Sequence, residues 1–266
     1  MRLHPGPLIV LHFPMRTLTL LVALTLSCTS RTDIHGSTDA GHDPAETELP
    51  ATCSGYVGLA TPDEIASTPR DDWDSEMLAL SVTDGLVADQ AVYDRVYRDM
   101  LAIRSMDLSI VLIGVFGPHD GKTLHLEADP VTYASMQAGT YEDWTCPNAF
   151  YVAEEIEFFH SSWLRIEFEG IYDLWLLAAE YSVLAGVTTV QAIPPAGDGP
   201  TICLSVEGDL YHYVFDDAGG DCPAGCTEHR YVYYTTTPDG PPVYMDTWSS
   251  TFPVDPPEWV LLYGRC

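Results

Sequence analysis

The side chains best suited to chemistry lie between Gly208 and Tyr233, where Cys222 and Cys226 are separated by three residues and flanked by His212 and His229. Two thiolates and two imidazoles are the ligand types of a tetrahedral zinc site. The same cysteines suit a disulfide, which an oxidising compartment favours and which would fix the turn. Asp216, Asp217 and Asp221, with Glu228 close by, supply hard oxygen ligands in a glycine-bearing loop and fit calcium. The run DDAGGD lacks the alternating aspartates of an EF-hand, and a solvated acidic turn is the other reading. Motifs for hydrolysis, GxSxG and HExxH, are missing. Carboxylate pairs such as Glu154 with Glu155 or Glu167 with Glu169 say little in a chain with 39 acidic residues. Phe116 to Thr123, FGPHDGKT, approaches a phosphate loop, but Phe116 occupies the first glycine position and an alternating strand pattern follows where that loop needs a helix. It reads as a hairpin turn. No catalytic residue and no cofactor is assigned; calcium is the first candidate and zinc the alternative.

The elements carrying these residues read as short strands: Thr201 to Val206, Leu210 to Phe215, Arg230 to Thr236, Val243 to Trp248 and Glu258 to Tyr263, separated by Gly, Pro and Asp. They predict a small antiparallel β region over 199–266, entered through the boundary Pro194 to Pro200. Tyr211, Tyr213 and Phe215 share one strand face, with Tyr231 and Tyr233 expected to pair with them across the hairpin. Such a face is either core or a platform for sugars. Gly220 to Cys226, GDCPAGC, resembles the GDCPxGC hairpin of uncharacterised bacterial lipoproteins, a resemblance that implies no particular activity.

The preceding part, 53–195, predicts an α+β domain. Its first third reads as loop to residue 75, a strand at Glu76 to Val82, a helix capped by Asp89 with Val92, Val96, Met100 and Ile103 on one face, and a buried strand at Ser109 to Phe116. From 122 to 195 the order is regular. A strand to Ala128 leads to a helix with Asp129 as N-cap and Pro130 at its first position, and Thr140 with Asp143 suggests a further capped turn. Strands at Glu155 to Phe159 and Trp163 to Glu169 follow, then a helix capped by Asp173 with Leu174, Leu177, Ala178, Tyr181 and Ala185 on one face. Gly186 ends that helix before a last strand at Thr188 to Ile193. This β-α-β-β-α-β order is the ferredoxin-like arrangement. With Leu184-Ala185-Gly186-Val187 it resembles the propeptide and inhibitor domains of subtilisin-type proteases, which implies a protease-inhibitor-like module. Thr188 to Pro195, TTVQAIPP, departs from the acidic and asparagine residues that end the family's edge strand.

Composition and the N-terminus place the chain. The 266 residues carry 39 acidic and 11 basic side chains, a net charge of −28, and Lys122 is the single lysine. Such a surface repels phosphate backbones and excludes nucleic acid as a partner. Arg16 precedes Thr17 to Leu26, an apolar run too short to span a bilayer but suited to a signal segment started at Met15 or at Met1. Leu24-Thr25-Leu26-Ser27-Cys28 resembles the lipobox of bacterial lipoproteins, which implies lipidation of Cys28 and an exported chain anchored to the outer membrane, on its periplasmic or surface side. The alternative is an ordinary h-region cysteine with cleavage nearby. Residues 29–52 lack aromatics and periodicity and read as a flexible tether. Beyond Cys28 stand Cys53, Cys146, Cys203, Cys222, Cys226 and Cys266, which predict three disulfides among fifteen possible connectivities. Three functional readings follow: a non-catalytic envelope lipoprotein binding an unknown protein or glycan, a protease-inhibitor-like module, and an enzyme of unrecognised type.

Overall fold

A computed structural model describes residues 49–117, 120–159, 162–192, 199–222, 225–264 and 266. The signal segment, Cys28, most of the tether, His119, His160, Ile193 and Pro194 to Asp198 lie outside the described residues. No described helix is long and apolar enough to cross a membrane.

A short 3₁₀ turn at Ala51–Cys53 precedes α1 (Pro62–Ala66), α2 (Trp73–Ser81), α3 (Gln90–Met106) and a second 3₁₀ turn at Leu108–Ile110. Next come β1 (Thr123–Ala128), α4 (Pro130–Gln137), α5 (Thr145–Phe150), β2 (Ala153–Phe158), β3 (Trp163–Phe168), α6 (Leu174–Tyr181) and β4 (Val187–Ala192). The chain ends with β5 (Thr201–Glu207), β6 (Leu210–Gly219), β7 (Glu228–Thr236), β8 (Val243–Ser249) and α7 (Glu258–Tyr263). The strands form two four-stranded antiparallel sheets, ordered β2-β3-β1-β4 and β5-β6-β7-β8. The protein is α+β, with three disulfides joining Cys53 to Cys146, Cys203 to Cys266 and Cys222 to Cys226.

Helix starts follow local chemistry. Asp89, Asp129 and Asp173 each accept two backbone N–H bonds from the first turn of α3, α4 and α6, satisfying donors the helix itself leaves unpaired. Alternation sets the first sheet: Leu124 and Leu126 of β1 and Leu164, Ile166 and Phe168 of β3 are buried beneath Tyr133 and Met136 of α4 and Leu177 and Tyr181 of α6. A second core joins distant parts of the chain, with Leu78 and Leu80 of α2 and Val96, Met100 and Ile103 of α3 packed on Ile202, Tyr213, Phe215 and Val232 of the second sheet.

Four expectations are corrected. Glu76 to Val82 is helical: Asp72 caps α2 by accepting from Ser75 N–H, and every residue from Ser75 to Leu80 is buried. A helix buried on all sides loses its amphipathic period and cannot be told from a buried strand by pattern. Ser109 to Phe116 is a turn and an irregular stretch. Ile110 and Ile113 are buried three residues apart while Leu108 and Leu112 face solvent, so the spacing is that of a turn. Glu258 to Tyr263 is α7, because Cys266 is bonded to Cys203 on β5, at the edge of the sheet opposite β8. The chain therefore crosses the sheet face and does not pair alongside β8. Finally, Thr140 caps nothing; its hydroxyl donates to Ser135 O, and α5 starts at Thr145 without a side-chain cap.

Tyr172, Tyr181 and Tyr213 are 0% exposed, and burial pushes their phenols above the ordinary tyrosine range. A raised folded pKa makes the native state hold its proton longer than the unfolded chain does, so stability is complete below about pH 10 and falls above it. Three such groups give a slope of about 4 kcal/mol per pH unit beyond that point. Urea midpoints measured from pH 9 to pH 11 are expected to hold and then drop steeply.

Candidate ligand pocket

The sequence-predicted metal residues are dispersed. Cys222 and Cys226 are bonded to each other, so neither is a thiolate, which removes two of the four zinc ligands. His212 pairs with Thr235 and His229 with Ala218, which puts the two histidines six β6 residues, about 20 Å, apart. The His212 ring stacks on Tyr263 at 4.2 Å, and its Nδ1 lies 2.6 Å from the Tyr233 hydroxyl. Burial holds that imidazole below its ordinary range, and neutral at pH 7. His229 Nδ1 lies 2.9 Å from Asp216 Oδ2. Asp216 and Asp217 are successive strand residues on opposite faces, the second 3.1 Å from Arg230, and Asp221 is exposed on the loop. Among the described residues no group of three or more His, Cys, Asp or Glu side chains is gathered to hold a metal ion.

The face of Tyr211, Tyr213 and Phe215 is core, one of the two readings it carried, while the pairing expected of Tyr231 and Tyr233 is corrected. Tyr211, Tyr213 and Phe215 are buried against α2 and α3, leaving no platform for a sugar. Register pairs Phe215 with Val232 and Tyr213 with Tyr234, which turns Tyr231 and Tyr233 to the other face of the sheet. There Tyr231 stacks between His229 and Trp248, and Tyr233 on Trp259 of α7.

Concavity is found elsewhere, at the junction of the two cores. A pocket of about 360 Å³ opens between Met77, Leu78, Leu80 and Ser81 of α2, Thr201, Ile202 and Leu204 of β5, and Asp173 with Trp175 at the start of α6; the stretch Val115 to Gly117 and Cys266 complete its walls. Each wall is held by local bonds. α2 is fixed by Glu76, which is 0% exposed and accepts from Thr68, the Arg70 backbone and the Arg70 guanidinium. β5 is an edge strand, steadied by Phe116 N–H donating to Thr201 Oγ1 at 2.9 Å and by the Cys203–Cys266 bond. α6 is tied by Asp173 N–H donating to Leu86 O.

Its polar side chains are engaged locally. The Ser81 hydroxyl donates to Leu78 O and the Thr201 hydroxyl to Phe116 O, so neither is poised as a nucleophile. No histidine, free thiol or lysine lines it among the described residues. Asp173 is the one carboxylate side chain of the lining among the described residues, and Trp175, 58% exposed, stands beside it. Sequence reasoning found Asp173 as a cap and missed the pocket. The available signal was Trp175, a large aromatic lying outside the apolar stripe of its own helix.

Compared with protein-family models, with curated proteins and with solved structures, the chain matches none of them.

Proposed function

We propose that the chain is an exported lipoprotein of the cell envelope, lipid-anchored at Cys28 to the outer membrane, that presents a disulfide-braced, non-catalytic binding module. The observation that carries this reading is the cysteine pairing. The six cysteines beyond Cys28 pair among themselves in three disulfides, an even set that needs no seventh thiol, and Cys28 itself lies outside the described residues. Disulfides suit an oxidising exterior. A lone cysteine closing an apolar run suits lipidation, and several acyl chains give stable anchoring. The pocket supports binding over catalysis, since its polar side chains are engaged in local bonds.

We read the first sheet as a ferredoxin-like unit. Its order β2-β3-β1-β4, antiparallel throughout, with α4 between β1 and β2 and α6 between β3 and β4, supports that reading. This arrangement hosts many unrelated functions and does not by itself favour protease inhibition.

Anchoring is tested by fractionating cells that express Cys28→Ala. The variant is expected in the soluble fraction, and the parent chain with the membranes. Retention of the variant in the membranes contradicts the proposal.

A further inference from the structure

All seven described basic side chains are engaged. Arg70 meets Glu76, Arg95 and Arg98 meet Asp99, Arg104 meets Asp74, Arg165 meets Glu157 and Arg230 meets Asp217, while Lys122 donates to Glu169 O. On a chain of net charge −28 the remaining field is acidic, and among the described residues no basic side chain lines the pocket. An anionic ligand, a fatty carboxylate included, would meet repulsion there.

The pocket's own surface narrows the choice further. Leu78, Leu80, Ile202 and Leu204 give it an apolar wall. The hydroxyl protons of Ser81 and Thr201 are already donated to backbone carbonyls, so the lining offers acceptors and few donors. Asp173, whose Oδ1 accepts two backbone N–H bonds, supplies the acidic side chain of the lining. Beside it the exposed ring of Trp175 presents the side-chain type that attracts cations most strongly.

We propose that this pocket binds a small apolar molecule carrying one ammonium group, its hydrocarbon body against the leucines and Ile202 and its charge beside Asp173 and Trp175. The assignment rests on reading the chain as a binding module and adds the chemical class of its ligand. A volume of about 360 Å³ admits a single ring with a short chain.

The test is a charge series of one shape: 4-phenylbutylamine, 4-phenylbutanol and 4-phenylbutyrate, titrated calorimetrically into the exported chain purified without detergent as Cys28→Ala. The amine is expected to bind about tenfold more tightly than the alcohol, with the carboxylate weakest. Asn caps helices as well as Asp does, so Asp173→Asn keeps α6 while removing the charge. It is expected to bring the amine and alcohol affinities together and leave the alcohol's unchanged. Leu204→Trp, which fills the pocket, is expected to abolish binding of both. Should that variant unfold, Trp175→Ala at the exposed mouth is expected to weaken the amine more than the alcohol. Equal affinity across the series, no binding of any member at about 10 mM, or an amine preference that survives Asp173→Asn would each overturn the proposal. Release of Cys28→Ala from the membrane is read separately, so loss of the ligand class leaves the anchoring result standing.

Discussion

Asp99→Ala is expected to cost about 3–5 kcal/mol of unfolding free energy, read from urea denaturation. Asp99 is 2% exposed on the face of α3 that meets the second sheet. Its Oδ2 accepts from the Tyr213 hydroxyl at 3.2 Å and the Thr236 hydroxyl at 2.5 Å, and lies 3.6 Å from Arg95 Nε. Arg95 in turn covers the Tyr211 ring at 3.5 Å and donates to Asp209 O. Removing the carboxylate leaves a nearly buried guanidinium without its anion and two buried hydroxyls without an acceptor, and the uncompensated charge dominates the loss. Arg98 also meets Asp99, at 2.9 Å, but its side chain is 54% exposed. Arg98→Ala should therefore cost less than about 1 kcal/mol. Equal losses for the two variants would show that Asp99 is not the joint between α3 and the sheet.

Cys53→Ala with Cys146→Ala is expected to destabilise by about 4–5 kcal/mol, against about 2 kcal/mol for Cys222→Ala with Cys226→Ala. The first bond closes a sequence separation of 93 residues and the second a separation of 4. In the loop-entropy account the restriction of the unfolded chain grows with the logarithm of that length. The Cys53–Cys146 bond also holds the N-terminal turn beside α5, where Tyr56 and Tyr151 both donate to Glu180. The Cys222–Cys226 bond fixes only the hairpin tip. Denaturation of both double variants without reductant measures the difference, and a reversed ranking would contradict the account.

What the sequence made legible is what short-range chemistry decides. The caps Asp89, Asp129 and Asp173 were readable because a side chain and the backbone two or three residues on settle them. The alternation in β1 and β3 was readable because one face of each is buried. Six cysteines announced three disulfides, though not their pairing, which depends on the folded path. The helix at Trp73–Ser81 was hidden because burial all round it erased its period. The facing of Tyr231 and Tyr233 was hidden because it follows from the β6–β7 register, and a one-residue shift moves every side chain to the other face. The pocket was hidden for a deeper reason: its walls come from α2, β5, α6 and Val115 to Gly117, and only tertiary packing brings them together. Nor does any local pattern connect Asp99 to Thr236, 137 residues away.

The most direct test of the central proposal is mass spectrometry of the N-terminal peptide of the mature chain extracted from membranes. The account predicts a first residue of Cys28 carrying a thioether-linked diacylglyceryl group and a further acyl chain on its amine. A mature chain that begins at another residue, or that begins at Cys28 without lipid, would contradict it.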